Sequence, residues 1–503
     1  MLFNSYEFIY LFLPLTLLGF FQIARYSHAL AGLWLFAASL FFYGWWNPAY
    51  VGLLLASIFF NYAAGIALSK EHARGRTRQK KWILGLGIAA DLGLIGYYKY
   101  ANFFIDNANT ALNLGWQVEA VLLPLGISFF TFTQIAFLVD AYRGEVKEAN
   151  FVHYGLFVTY FPHLIAGPVL HHKEMMPQFA RPATYRAHWD NLSIGLTIFS
   201  IGLFKKVVLA DGIAPFADPV FDAAANGATL TPLEAWGGAL AYTFQLYFDF
   251  SGYSDMAIGM SRLFGVKLPL NFASPYKATS IIEFWRRWHM TLSRFLRDYL
   301  YFPLGGNRKG PARRHLNLMA TMLLGGLWHG ASWTFVMWGA LHGLYLVANH
   351  AWRHLRMALG HDLNRRTLTG RVAGMTLTFL AVVVGWVFFR AENLGSALSM
   401  LAAMVNLHGI AFLTDWHGPW STLDGLDIED MWSWIVALWA LAWLAPNTQE
   451  IMAGFKPAPE PIPGQPTRLT WSPDYRWAII IGLLGTISLL HLGEASEFLY
   501  FQF

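Results

Sequence analysis

The chain has 503 residues, 56% hydrophobic and 17% aromatic but only 13% charged. Soluble globular chains carry about 25% charged residues, so the water-facing shell that about two to four soluble domains of this total length need is missing. A net charge of +5, from 35 Lys+Arg against 30 Asp+Glu, is too small and too clustered for a nucleic-acid binder, and no nucleic-acid partner is expected. The absence of Cys removes disulfide frameworks, thiolate metal sites and Cys nucleophiles. The composition predicts a polytopic membrane protein that is all-α, because backbone exposed to lipid must satisfy its own hydrogen bonds and the alternation of a membrane barrel is absent.

A crossing needs about 20 apolar residues. In chain order the candidates are Tyr6–Ala24, Leu30–Gly44, Tyr50–Leu68, Trp82–Tyr100, Val121–Val139, Phe151–Leu170, Leu192–Ala210 and Leu233–Met260. The C-terminal half adds Leu316–Trp328, Ala331–Ala348, Val372–Phe389, Met431–Leu444 and Ala478–Leu492. Several are short or broken by Gly and Pro, so roughly 11 full crossings plus re-entrant pieces are expected. The first Lys or Arg is Arg25, so Tyr6–Ala24 lacks the basic start of a signal peptide and reads as a retained span.

Three basic loops set the orientation: Lys70–Lys81, Gly306–Arg314 and Ala351–Arg371. The positive-inside tendency puts them in the cytoplasm. Three spans precede the first loop, which leaves the N-terminus outside and suits the acidic stretch Asp415–Asp430 to the outer face. Pro457–Pro466 reads as a loop, no internal repeat is visible, and residues 1–503 are expected to form one integral membrane domain. Lipid is the expected surrounding partner.

Two segments carry the chemistry. Leu316–His350 starts and ends at cytoplasmic loops, so it enters the membrane and returns. Its first arm, Leu316–Trp328, is about 20 Å long at 1.5 Å per residue, which leaves His329 at a helix break (Trp328-His329-Gly330) inside the membrane. An ionisable residue there is a functional-site candidate, and an imidazole suits proton transfer near neutral pH. The plain structural alternative is a buried His bonded to a backbone carbonyl. The second segment, Ile281–Tyr301, reads as one amphipathic helix lying along the interface or bundle wall, with Ile281, Trp285, Trp288, Leu292, Phe295, Leu296 and Tyr299 in one stripe. His289 falls at the edge of that stripe, toward protein or lipid, as a second active-site candidate or as a wall residue packing beside Trp285 and Trp288.

Other motifs are weaker. In Tyr247–Asp255, Asp249 and Asp255 must face protein, a cavity or the interface, and Ser251 lacks the G-x-S-x-G elbow of a nucleophile. Packing or hydrogen bonding suits Ser251 better than nucleophilic attack. His171-His172-Lys173-Glu174 lacks metal-ligand spacing and reads as a solvated basic turn. Lys205-Lys206 reads as a pair that snorkels to the interface. Without a Walker A sequence, ATP-driven transport is not expected. Asp249, Ser251, Trp285 and Trp328 are the candidate substrate-binding residues, and no metal ligand is proposed.

Asn271–Gly310, Asp249–Gly259 (DFSGYSDMAIG) and Leu323–Gly343 (LLGGLWHGASWTFVMWGALHG) resemble the membrane-bound O-acyltransferase superfamily, and most of all its alginate O-acetylation branch. GYYKYANFF (Gly96–Phe104), PLGISFFTF (Pro124–Phe132) and YFPHLIAGPV (Tyr160–Val169) extend the resemblance to roughly residues 96–343. The spans in 372–503 are only generically similar.

The resemblance implies a helical bundle around a tunnel, with His329 and His289 matching the family's two active-site histidines. It also implies a bacterial inner membrane as the location and an acyl thioester donor such as acetyl-CoA on its cytoplasmic side. The acceptor is then an exported polysaccharide of alginate or cellulose type, reached directly or through a periplasmic acetyltransferase beside a polysaccharide synthase. D-alanyl transfer to teichoic acid and a polymer or donor channel are the competing readings. Acyl transfer to an alcohol needs an activated hydroxyl and a stabilised oxyanion, and His329 as general base meets the first need.

Overall fold

The structure is a computed structural model that describes all residues except 117–120, 364–366, 408–422, 424, 461–466, 495–497 and 500–503. Arg365 and Arg366 of the third basic loop, most of the acidic stretch Asp415–Asp430 and residues 461–466 of the Pro-rich loop lie outside the described residues.

Among the described residues every regular element is helical. The first half contains α1 (Leu13–Ala24), α2 (His28–Gly44), α3 (Ala49–Ala73), α4 (Thr77–Ile95), α5 (Ala101–Leu112), α6 (Ile127–Arg143), α7 (Phe151–Thr159), α8 (His172–Phe179), α9 (Trp189–Phe204) and α10 (Asp211–Ala225). The second contains α11 (Pro232–Leu263), α12 (Ile281–Trp285), α13 (Met290–Leu296), α14 (Gly310–His329), α15 (Trp333–Ala358), α16 (Leu368–Arg390), α17 (Leu394–Met404), α18 (Ile428–Leu444), α19 (Thr448–Ile451) and α20 (Tyr475–Leu490). By length and composition three helical stretches among the described residues can cross a membrane: Ala49–Ala73, Trp189–Ala225 and Leu368–Arg390. Four more apolar helices, Phe8–Ala24, His28–Gly44, Leu394–Met404 and Tyr475–Leu490, are shorter.

The central element is α11. Thr231 caps it, with Glu234 closing a capping box and Pro232 in the first turn, the arrangement that satisfies a helix's first free N–H groups. Its 32 residues make a rod of about 48 Å at 1.5 Å per residue, and nearly every one is buried. The helix packs against α9 through glycines. A methyl group on Gly252 would stand 2.8 Å from the Gly202 carbonyl oxygen, and one on Gly259 would stand 2.6 Å from that of Gly195. Small residues that let backbones touch are the usual contact between membrane helices.

Three expected elements differ. Phe151–Leu170 is helical only as α7; from Tyr160 the chain turns, buried throughout, to α8, because the Pro162 and Pro168 signals interrupt it. Ile281–Tyr301 is not one amphipathic helix. It breaks at His289, whose backbone is left-handed (φ 39°, ψ 55°). There the loop from Asn271 intrudes, with Met290 N donating to Asn271 O (3.0 Å) and Ala273 N to Arg287 O (3.0 Å). Helix α14 begins at Gly310, six residues before the apolar run, and so carries Arg313, Arg314 and His315 in its first turns.

Candidate functional site

Helix α14 ends on His329, and its partner α15 starts again at Trp333 with Ser332 as the cap. The sequence puts the break there because Gly330 is extended (φ −164°, ψ 153°) and Ser332 can accept from Thr334 N (3.3 Å). The two arms of this hairpin touch through Gly326 and Gly339. A methyl group on Gly326 would lie 2.2 Å from the Phe335 carbonyl oxygen, and one on Gly339 would lie 2.4 Å from that of Met322. A larger residue at either place must push the arms apart and carry His329 with them.

His329 is 4% exposed. Its ring lies among Trp328 (4.9 Å between centroids), Trp338 (5.0 Å) and Phe389 (5.0 Å). His289 is fully buried, edge-on to Phe250 at 4.8 Å and 6.0 Å from the Trp328 ring. Trp328 therefore contacts both histidines, and it also stacks on Phe132 at 5.6 Å. Left-handed backbone in a residue with a side chain is uncommon and costs of order 1–3 kcal/mol. At His289 the strain is held by the Asn271 contacts, and Asn271 in turn accepts from Thr291 Oγ1 (2.6 Å).

A cavity of about 530 Å³ reaches this end of α14; its walls include Trp45, Trp46, Lys99, Ser128, Trp328 and His329. Trp45 and Trp46 lie in the turn between α2 and α3, at the end of α3 opposite the Lys70–Lys81 loop. The cavity's Trp45–Trp46 wall thus lies at the end of α3 away from that basic loop.

The structure brings together His329, His289 and Trp328. Of these three, Trp328 and His329 line the cavity and His289 does not. Trp285 packs on Trp338 and His342 and is not among the cavity's lining residues. Ser251 is buried on α11 away from that lining. Asp249 is 2% exposed, with one oxygen 2.7 Å from Lys206 Nζ and the other accepting from Leu499 N (3.2 Å). Among the described residues no group of three or more His, Cys, Asp or Glu could hold a metal ion.

Two surface readings are corrected. Lys206 does not snorkel: it is 1% exposed and bonds Asp211 (2.8 Å) and Asp249 (2.7 Å). Lys205 bonds Asp255 (2.7 Å), which also accepts from Thr448 (2.6 Å) and Gln449 (2.8 Å). The two lysines thus find carboxylates 5 to 50 residues away in sequence rather than water. His171 and His172 are not a solvated turn either, since both are buried. His172 Nδ1 lies 3.0 Å from Asp140, and Tyr299 OH donates to Asp140 (2.9 Å) while lying 2.9 Å from His171 Nδ1. Burial, with Arg294 adding its charge, pushes the His171 imidazole down to about 4, so it is neutral at physiological pH.

One member of the site was not read from the sequence. Lys99 Nζ donates to the carbonyls of Trp328 (2.5 Å) and His329 (3.2 Å) and to Ser128 Oγ (3.4 Å), and Tyr100 OH donates to Leu327 O (2.6 Å). The signal was present, because a Lys inside the apolar run Trp82–Tyr100 is as unusual as a His inside a span.

Comparison with known proteins gives a consistent result. A model of the membrane-bound O-acyltransferase family matches residues 16–384. A peptidoglycan O-acetyltransferase of Helicobacter pylori is 45% identical over 82% of this chain and 81% of its own length. A Pseudomonas putida protein named "Probable alginate O-acetylase AlgI" is 41% identical over the full length of both chains. A teichoic acid D-alanyltransferase of Streptococcus thermophilus is 28% identical over 54% of this chain and 69% of its own.

Proposed function

Because this chain belongs to the membrane-bound O-acyltransferase family, we propose that it moves an acetyl group from a cytoplasmic thioester, acetyl-CoA, to hydroxyls of an exported polysaccharide. The observation that carries this reading is the helix end at His329, buried, ringed by aromatics and open to a cavity whose Trp45–Trp46 wall lies away from the basic Lys70–Lys81 loop. Basic loops favour the cytoplasmic side, so that cavity is the acceptor's approach. The roughly 11 crossings and the outer N-terminus belong to the same proposal.

In the proposed reaction, His329 takes the proton of the acceptor hydroxyl as its oxygen attacks the thioester carbonyl carbon. The tetrahedral intermediate then expels the thiolate, which leaves as a thiol with the proton from His329. His289, which also packs against Trp328, orients the donor. Trp328 lines the path, and the aromatic surround keeps water from hydrolysing the thioester. The ion-paired placement of Asp249 supports a structural part for it, and the packing of Ser251 and Trp285 does the same.

Acetylases of alginate and peptidoglycan among the relatives support a polysaccharide acceptor. Transfer directly, or through a periplasmic acetyltransferase working with a polysaccharide synthase, is open to the same chemistry. The test is base-labile acetate on the exported polysaccharide of cells carrying His329→Ala at normal membrane abundance. Loss is expected, and wild-type acetylation would refute the assignment. Labelled acetyl donor taken up by vesicles without covalent transfer would favour a channel.

A further inference from the structure

Helix α14 stops at His329 without the usual left-handed glycine. Gly330 is extended, so no backbone N–H folds back onto the last carbonyls, which a helix end leaves without intrahelical partners. Three of these carbonyls are taken instead by two neighbouring side chains. Tyr100 holds Leu327, and Lys99 holds both Trp328 and His329, across some 230 residues of sequence.

Both side chains come from Gly96–Tyr100, a π-helical turn between α4 and α5. Such wide turns appear mostly as isolated bulges, frequently at functional sites, and this one presents two consecutive residues to the same helix end. Neutral donors could satisfy carbonyls at less cost than a buried ammonium. Lys99 takes part in no ion pair among the described residues, and the cavity's lining contains Lys99 and His329 but no Asp or Glu. A cation is nevertheless favoured here, because the C-terminal end of a helix carries partial negative charge.

We propose that Lys99 is a positioning residue of the transfer reaction. It clamps the terminal carbonyls of α14 so that His329 is held at the cavity wall, with Tyr100 as the second and weaker jaw. This rests on His329 being the base. Misplacing a catalytic group by about 1 Å can cost about 10²-fold in rate, so the clamp should appear in turnover rather than in donor affinity.

Three variants of the full chain, Lys99→Met, Lys99→Arg and Tyr100→Phe, test this in membranes alongside His329→Ala. The readouts are base-labile acetate on the exported polysaccharide, kcat and KM for [14C]acetyl-CoA in vesicles, and hydrogen–deuterium exchange over residues 320–335. For Lys99→Met we expect acetate and kcat to fall about 10- to 100-fold, KM to stay within about threefold, and exchange after Leu327 to rise. Lys99→Arg, which keeps charge and donors, should recover part of the loss, and Tyr100→Phe should lose less. Near-normal acetate with unchanged exchange in Lys99→Met would overturn the clamp while leaving the base assignment standing. So would a loss confined to KM, or an equal loss in Lys99→Arg. An active His329→Ala would instead remove the base assignment and the clamp with it.

Discussion

Two groups of ionisable side chains lie deep in this bundle, and they are handled in opposite ways. Just after α9, Lys205 and Lys206 meet Asp211 at the start of α10 and Asp249 and Asp255 on α11 at 2.7–2.8 Å, so charge is set against charge, and none of these residues lines the cavity at the end of α14. At the end of α14, Lys99 and His329 share a cavity wall without a carboxylate, and the lysine is answered by two carbonyls and a serine hydroxyl. The first group neutralises itself and ties helices together. The second leaves a basic site facing open space, which is what a reaction needs. Burial alone therefore does not separate the two groups; the absence of a carboxylate beside a cavity does.

Several substitutions probe that contrast. The largest effect is expected at His329→Ala, with acetylation falling about 10²- to 10⁴-fold, the usual worth of a positioned acid–base group, while the protein's melting temperature holds. Lys206→Met should do the reverse. It takes the shared ammonium from Asp249 and Asp211, and breaking a buried pair costs about 3–5 kcal/mol. Activity should then be lost only together with folded protein, as size-exclusion profiles and thermal melts would register. The double variant Lys206→Met/Asp249→Asn should recover most of that stability. If it does not, the pair is doing more than neutralising charge.

A smaller loss is expected for Gly252→Val, which thickens the α9–α11 contact; overpacking of this kind typically costs about 1–3 kcal/mol. The smallest effect on stability is expected at Trp46→Ala. That side chain is 39% exposed at the cavity, so stability should stay within about 0.5 kcal/mol and any change should appear in acceptor use.

How much of this was legible follows the same division. The break at His329 could be read from Trp-His-Gly between two apolar arms because the cause is local. The burial of His289 followed from its place on the stripe. Its left-handed backbone did not, because a helical wheel assumes the helix that the Asn271 loop interrupts. Lys205 and Lys206 were misread for lack of their partners, and the same holds for His171 and His172, whose burial depends on Asp140 and Tyr299. Lys99 was overlooked inside a stretch counted as apolar, although the rule that selected His329 applied to it equally.

The ion network also bears on where this chain can be divided. The family match ends at residue 384, yet Asp255 is satisfied by Thr448 and Gln449, and Asp249 by Leu499. A version cut at the edge of the matched region would keep every motif and lose the donors that close its own core. During synthesis, too, the carboxylate of Asp249 must wait for a residue made 250 positions later. The least family-like part of the chain is thus the last piece of the lock, and grafting the matched region alone onto another scaffold would carry over the chemistry without its closure.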